Sequence, residues 1–258
     1  MTARPLLYLP VLLLAGAVSS ACSVDLEAGM ASATGRFERQ LTTDGPVDLE
    51  VRTGSGSIEI RRGTGREVRI VGTVRASRAF WSSSSADERV RRIEANPPIS
   101  QNGNSIRVGE FENRELSRNV NISYEILVPA DTSVRSRTGS GSHRIESLDG
   151  RVDAETGSGS IRLGRIGGAV VASTGSGSIE VMGAAGGLTA RTGSGSIDAA
   201  GIVGGVRANT GSGGVNIEGS PTTDWTVRTG SGSIDLRLPD DGAFGVDVRT
   251  GRGSIVTT

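Results

Sequence analysis

From Val134 onward, apolar and polar residues alternate in short runs, and glycine punctuates every run. Val152, Ala154 and Thr156 alternate with Asp153 and Glu155, and Ile161 and Leu163 flank Arg162. A period of two is the mark of a strand with one buried face. The pattern returns at Val170, Ala172, Ile179 and Val181, then at Leu188, Ala190, Ile197 and Ala199. Each unit therefore predicts a strand, a tight turn, a second strand and a second turn. The first turn is the tract Thr-Gly-Ser-Gly-Ser/Gly, which begins at Thr138, Thr156, Thr174, Thr192 and Thr210, always 18 residues apart. It recurs at Thr229 and Thr250 after small insertions, the last copy with Arg252 in place of the first Ser, and an isolated copy begins at Thr53. Glycines mark the second turn too, at Asp149-Gly150, Gly167-Gly168, Gly186-Gly187 and Gly204-Gly205. Corners of this kind need positive φ or a close backbone approach, both of which a Cβ opposes.

Aligned on the repeat, equivalent positions form columns. One holds Val134, Val152, Val170, Leu188, Val206, Trp225 and Val246. A second holds Ser136, Ala154, Ala172, Ala190, Ala208, Val227 and Val248, and a third His143, Ile161, Ile179, Ile197, Val215, Ile234 and Ile255. One unit cannot bury its own inner face, but stacked neighbours share a continuous core. The expected fold is all-β: a parallel, β-helix-like β-solenoid with coils of about 18 residues and two strands per coil. A string of antiparallel hairpins is the competing arrangement. It is disfavoured because whole columns match between units, whereas the two strands of one unit do not complement each other.

Upstream the strict repeat gives way to looser alternation, as at Val47, Leu49 and Val51 and at Val68 and Ile70. Ser85-Ala86-Asp87-Glu88 is a capping box that opens one short helix over residues 85–95, with Val90 and Ile93 on one face, and Pro97-Pro98 follows it. Strands resume around Ser105–Val108 and Ile122–Val128, and the helix is placed to cover an open end of the solenoid. The segment Tyr124-Glu125-Ile126-Leu127-Val128-Pro129-Ala130, leading into Val134-Arg135-Ser136-Arg137-Thr138-Gly139-Ser140-Gly141, resembles the bacterial putative-adhesin family of β-strand-repeat proteins. The preamble around Ala86–Arg107 is similar as well, so the resemblance runs from about Arg36 to Thr258. It implies a domain of unknown function in exported, membrane-linked proteins, with no catalytic residue to carry over.

The amino terminus changes the picture from a bare domain to an exported one. Arg4 precedes an apolar run from Leu6 to Val18, and Ser19-Ser20-Ala21 supplies small residues for cleavage. The run is short for a membrane span. Cys22, the one cysteine, follows at once and is the candidate lipidation site, although Ser19 stands where a lipobox carries Leu. The expected organisation is a signal peptide at 1–21, a flexible tether at 22–35, a β-rich cap of irregular coils at 36–133 and regular solenoid repeats at 134–258.

Composition then narrows the functions. Aromatics are 3% of the chain while Gly reaches 39 residues, which points to a thin core of small residues. The 28 basic residues are all Arg and balance 28 acids, which excludes the basic excess of a nucleic-acid binder. Gly-Ser-Gly beside Thr resembles a phosphate loop, yet there is no Lys and a strand rather than a helix follows. Calcium-binding rolls use carboxylates inside the turn, where this chain has Ser. No metal or cofactor is therefore expected.

The remaining candidates each have two readings. His143, the sole histidine, is either the base of a Ser-His-Asp arrangement or a satisfied histidine in an Ile column. Glu146, Asp153, Glu155, Glu180 and Asp198 are either paired acids for glycoside hydrolysis, which need a cleft, or solvated face positions. Arg137, Arg191, Arg228 and Arg249 share an outward column with Glu155, as a solubilising ladder or a ligand-facing basic stripe. The Thr and Ser ladders, at about 4.8 Å spacing, are either a glycan- or ice-binding array or corner residues bonding nearby backbone. The leading expectation is a non-enzymatic envelope scaffold, anchored through Cys22, for a protein or glycan partner. A β-helix carbohydrate-active enzyme and an envelope-signalling accessory protein are the alternatives.

Overall fold

Alternation along the chain is realised as two largely parallel sheets wound by one chain. A computed structural model describes residues 32–77, 85–111, 114–239 and 244–258. The amino-terminal part holds β1 (Ser32–Thr42), β2 (Asp48–Thr53), β3 (Ile58–Arg62), β4 (Glu67–Ser77), α1 (Ala86–Ala95), β5 (Ile99–Asn102), β6 (Ser105–Val108), the single turn α2 (Arg114–Ser117) and β7 (Val120–Val128). Seven coils of two strands follow: β8 (Ser133–Thr138) with β9 (His143–Leu148), β10 (Val152–Thr156) with β11 (Ile161–Ile166), and β12 (Val170–Ser176) with β13 (Ile179–Ala184). The others are β14 (Leu188–Ser194) with β15 (Ile197–Val203), β16 (Val206–Ser212) with β17 (Val215–Ser220), β18 (Trp225–Ser231) with β19 (Ile234–Arg237), and β20 (Val246–Arg252) with β21 (Ile255–Thr257).

One sheet runs β1-β4-β7-β3-β9-β11-β13-β15-β17-β19-β21, and the other β20-β18-β16-β14-β12-β10-β8-β2-β6-β5. From β9 to β21 and from β8 to β20 every pairing is parallel, so the fold is the all-β parallel solenoid that the repeat predicts. The register is that of the columns: Val134, Val152, Val170, Leu188, Val206, Trp225 and Val246 are successive partners. Inner residues are almost wholly buried, Val152, Ile161, Ala190, Ile197 and Trp225 at 0% exposure. The indole Nε1 of Trp225, too wide for its column to hide without a partner, donates to the Gly204 carbonyl at 2.8 Å.

The copy at Thr53 is not isolated in space. Strand β2 pairs in parallel with β8, matching Thr53 to Thr138, and β3 pairs with β9, matching Ile58 to His143. A regular coil thus forms early in the chain, and the chain then leaves it to build the cap on its far side. There β6 and β7 stack in parallel on β2 and β3, while β4 and β1 extend one sheet antiparallel and β5 extends the other. Helix α1 begins at Ser85, whose side chain accepts the Glu88 amide at 3.1 Å, as the capping box predicts.

Its buried side, Ala86, Arg89, Val90 and Ile93, lies on β1 and β4, where a Cβ at Gly35 would meet Val90 Cγ1 at 2.3 Å. The inner face of β1 and β4 is thereby covered by a helix in place of strands. Arg89 is buried and donates to the Ser77 and Arg118 carbonyls, both at 2.6 Å. The signal peptide and Cys22 lie outside the described residues. The end of the expected tether is a correction: Ser32–Gly35 belong to β1, because Ala33 and Phe37 bury on the cap and Gly35 admits the helix.

Most corner glycines leave no room for a Cβ. At Gly195, φ is +154° and a Cβ would stand 2.2 Å from the Gly177 carbonyl oxygen of the preceding coil. Gly177 itself faces Gly159 O at 2.1 Å, whereas Gly54 has nothing within 4 Å. Gly177→Ala is expected to cost about 1–3 kcal/mol by forcing backbone apart, and Gly54→Ala to change stability by less than about 0.5 kcal/mol. Chemical denaturation of the two variants checks this; equal midpoints would refute the corner argument.

Candidate functional site

The residues with the most chemistry in the repeat turn out to face inward. Each Thr that opens a corner tract is the last inward residue of its strand, and Thr156, Thr174, Thr192, Thr210 and Thr229 are 3–7% exposed. Their hydroxyls donate to the carbonyl of the corner glycine one coil earlier: Thr156 to Gly141 at 2.8 Å, and Thr174 to Gly159, Thr192 to Gly177 and Thr210 to Gly195 at 2.9 Å. Thr138 reaches back to Gly56, and Thr53 to Ile122, so the ladder continues into the cap. A buried hydroxyl whose only proton is donated to a backbone carbonyl is not presented to a glycan or to ice. The exposed hydroxyls of the corners are serines, such as Ser158, Ser176 and Ser194.

His143 meets a Ser, but not as a catalytic pair. Its column faces that of Ser136 across the core, and Ser136 Oγ lies 2.5 Å from His143 Nδ1. The other ring nitrogen, Nε2, lies 2.9 Å from the Glu155 backbone carbonyl. A carbonyl only accepts, so Nε2 carries the hydrogen and Nδ1 accepts from the serine. Both residues are at most 1% exposed, which leaves no path for a substrate. Burial pushes the His143 pKa below the ordinary 6.5, opposed by the bond to Glu155.

The five acids are divided between two opposite faces. Asp153 and Glu155 lie outward on β10, while Glu146, Glu180 and Asp198 lie outward on β9, β13 and β15. Glu180 and Asp198 are direct partners in register, and Arg162 bonds Glu180 at 3.1 Å. They border an open groove of about 360 Å³ lined also by Ala199, Ile217, Met182, Glu218 and Asp235, with Arg237 within 4.0 Å of both Glu218 and Asp235. Met182 is 55% exposed, between Gly164 and Ala200 in its outward column. That methionine was missed by reading inward columns alone; the signal was an apolar residue among outward positions otherwise charged or small.

The opposite face carries the arginine column in the order Arg52, Arg137, Glu155, Ser173, Arg191, Asn209, Arg228 and Arg249. Arg137 pairs with Glu155 at 3.1 Å and Arg228 with Asp247 at 3.0 Å, but among the described residues Arg191 and Arg207 have no acid in ion-pair range. The later coils therefore present an acidic face around Met182 and a basic face around Arg191. Among the described residues no group of three or more His, Cys, Asp or Glu is placed to hold a metal. No helix among them is long and apolar enough to cross a membrane.

This geometry can be set beside known proteins. The sequence profile of the Toastrack DUF4097 family matches residues 99–257. The chain belongs to that family. No curated protein matches it. Among solved structures, a putative adhesin from Bacteroides fragilis superposes with a TM-score of 0.52 at 14% identity, covering 87% of this chain and 97% of its own. A second putative adhesin, from Parabacteroides distasonis, has a TM-score of 0.44 at 11% identity over 87% of this chain and 97% of its own. The likeness to the Bacteroides fragilis structure shows the fold alone.

Buried His143 gives the Toastrack domain here a pH signature. With a folded pKa below 6.5, the unfolded chain binds the proton first, so stability is full above pH 6.5 and falls as pH drops from there toward the folded value. Glu38, Glu50 and Asp247, held below their ordinary values by hydrogen bonds from Arg69, Arg52 and Arg228, act only in more acid solution. The double variant Ser136→Ala/His143→Ile, which copies the other coils, is expected to fold and to lose the decline that begins at pH 6.5. Thermal unfolding across pH tests this, and an unchanged profile would remove His143 as its source.

Proposed function

We propose that this protein is a non-catalytic, exported envelope scaffold, tethered by lipid at Cys22, whose acidic outer face binds a basic protein segment. The observation that carries this reading is the exposed Met182, set between Gly164 and Ala200 in a groove where four carboxylates, Glu180, Asp198, Glu218 and Asp235, outnumber the one arginine, Arg237. A flexible thioether on a flat floor adapts to a partner surface, and surrounding carboxylates favour cationic partners and speed their approach. Glycan platforms rely on exposed aromatic rings. Among the described residues Phe37, Tyr124 and Trp225 are buried, and Phe111 and Phe244 half-buried, which favours protein over glycan.

The corner Thr hydroxyls and the Ser136–His143 pair are used inside the core, which favours a scaffold over an enzyme built on a Ser–His pair. The adhesin names of the solved relatives agree with an extracellular or surface role. Capture from envelope extract is the direct test: partners held by the exported chain should be lost, or weakened at least about tenfold, by Met182→Arg with the fold intact. Capture that ignores Met182→Arg, or binding to glycans alone, would sink the reading.

The anchor has its own test. The full chain should partition into the detergent phase and Cys22→Ala into the aqueous phase; wild-type protein already in the aqueous phase would refute lipidation.

A further inference from the structure

The basic face takes no part in the acidic groove, and its charge is concentrated in the later coils. Outward positions of β14, β16, β18 and β20 carry Arg191, Arg207, Arg228 and Arg249 against one acid, Asp247. Asp247 is held between Arg228 at 3.0 Å and Arg249 at 2.9 Å. Arg191 and Arg207 are exposed and form no hydrogen bond or ion pair among the described residues. They are diagonal neighbours on adjacent strands. Arg191 stands in register with Ser173 and Asn209, and Arg207 with Thr189 and Thr226. Two free guanidiniums are thus surrounded by hydroxyl and amide side chains. Asp224, which borders a groove with Arg207, is engaged at the corner, where it accepts the Gly245 amide at 3.0 Å.

We propose that this face lies on an anionic lipid surface, where Arg191 and Arg207 take headgroup phosphates. The inference rests on the lipid anchor proposed at Cys22. Ten residues separate Cys22 from Ser32, where β1 begins, and they reach at most about 36 Å when fully extended. A solenoid so tethered is held near the bilayer, and its basic residues are drawn in once they come within a Debye length, about 10 Å at 0.1 M salt. A guanidinium offers phosphate a fork of parallel donors, so each free arginine suits one headgroup. The chain's formal net charge is zero, so attraction to an anionic surface depends on turning this face toward it.

A protein partner fits this face less well. Protein interfaces are built round an apolar centre, as the opposite face is round Met182. Here Val171 is the apolar outward residue of β12; it is half-buried, and the outward positions of β14 and β16 are polar or charged. Docking through this sheet also turns the acidic groove of the other sheet away from the bilayer, toward its partner.

Co-sedimentation of the exported chain carrying Cys22→Ala with lipid vesicles, at low ionic strength, provides the test. Removing the anchor makes the result independent of lipidation, which the detergent partition decides separately. Vesicles of phosphatidylcholine with phosphatidylglycerol should bind the chain, and vesicles of phosphatidylcholine alone should not. Arg191→Glu/Arg207→Glu is expected to weaken binding at least about tenfold, and added salt to weaken it as well. Arg75→Glu/Arg144→Glu makes the same change in net charge on exposed positions of the opposite sheet, and should alter binding less than about twofold. Met182→Arg, which tests the partner groove, should leave vesicle binding intact. Far-ultraviolet circular dichroism confirms that each variant is folded. No binding to the anionic vesicles, equal binding to neutral ones, or equal losses in the two double variants would overturn the proposal.

Discussion

The rest of the molecule depends on one buried hydrogen bond repeated at every corner. A Thr hydroxyl donates to a glycine carbonyl in the coil before it, while the glycine of its own tract offers its carbonyl to the Thr of the coil after. Thr and Gly in the tract are thus two halves of a single coil-to-coil contact. The contact also fixes register. A slip of one residue would carry every inner side chain to the surface and leave a row of buried carbonyls unpaired, at about 1–3 kcal/mol each. Once the corners are locked, the outward columns stack by necessity, and whatever residue the chain places there becomes part of a continuous face.

That division explains how sequence and structure agree here. The columns were legible because parallel, in-register stacking repeats each position at the period of the chain itself. Thr was ambiguous for a physical reason: its strand position said inward, while its hydroxyl invited an outward role. Only the glycine carbonyl at 2.9 Å decides between them. The Ser136–His143 bond was out of reach because it joins two different columns across the core, and alternation alone does not say which positions face each other. Likewise, a capping box and two apolar residues announced α1, but not that Gly35 would be the surface receiving it. The Arg column was read correctly as a column; its lack of acidic partners at Arg191 depends on neighbouring coils.

Face and core answer to different energies. Exposed ion pairs such as Arg162–Glu180 and Arg137–Glu155 contribute about 0–1 kcal/mol each, so the outer columns can change sign from face to face with little effect on folding. An acidic face around Met182 and a basic face around Arg191 can therefore coexist on one thin slab in a chain whose formal net charge is zero. Net charge describes such a protein poorly; the separation of charge across its thickness describes it better.

The coil formed by β2 and β3 has a consequence for the order of events in folding. Regular coils close over 18 residues, but Thr53 finds Thr138 only across 85. Closing the longer loop costs about 1.4 kcal/mol more in chain entropy, and the intervening segment must also fold back on itself. The repeats from β8 onward can zip from neighbour to neighbour, each providing an edge for the next. The early coil has to wait for such an edge. A chain emerging amino-terminus first would hold its first Thr-Gly-Ser-Gly corner unmatched until β6 and β7 had been made, and its second side open until β8 and β9 followed, so the piece synthesised first would settle only after later ones.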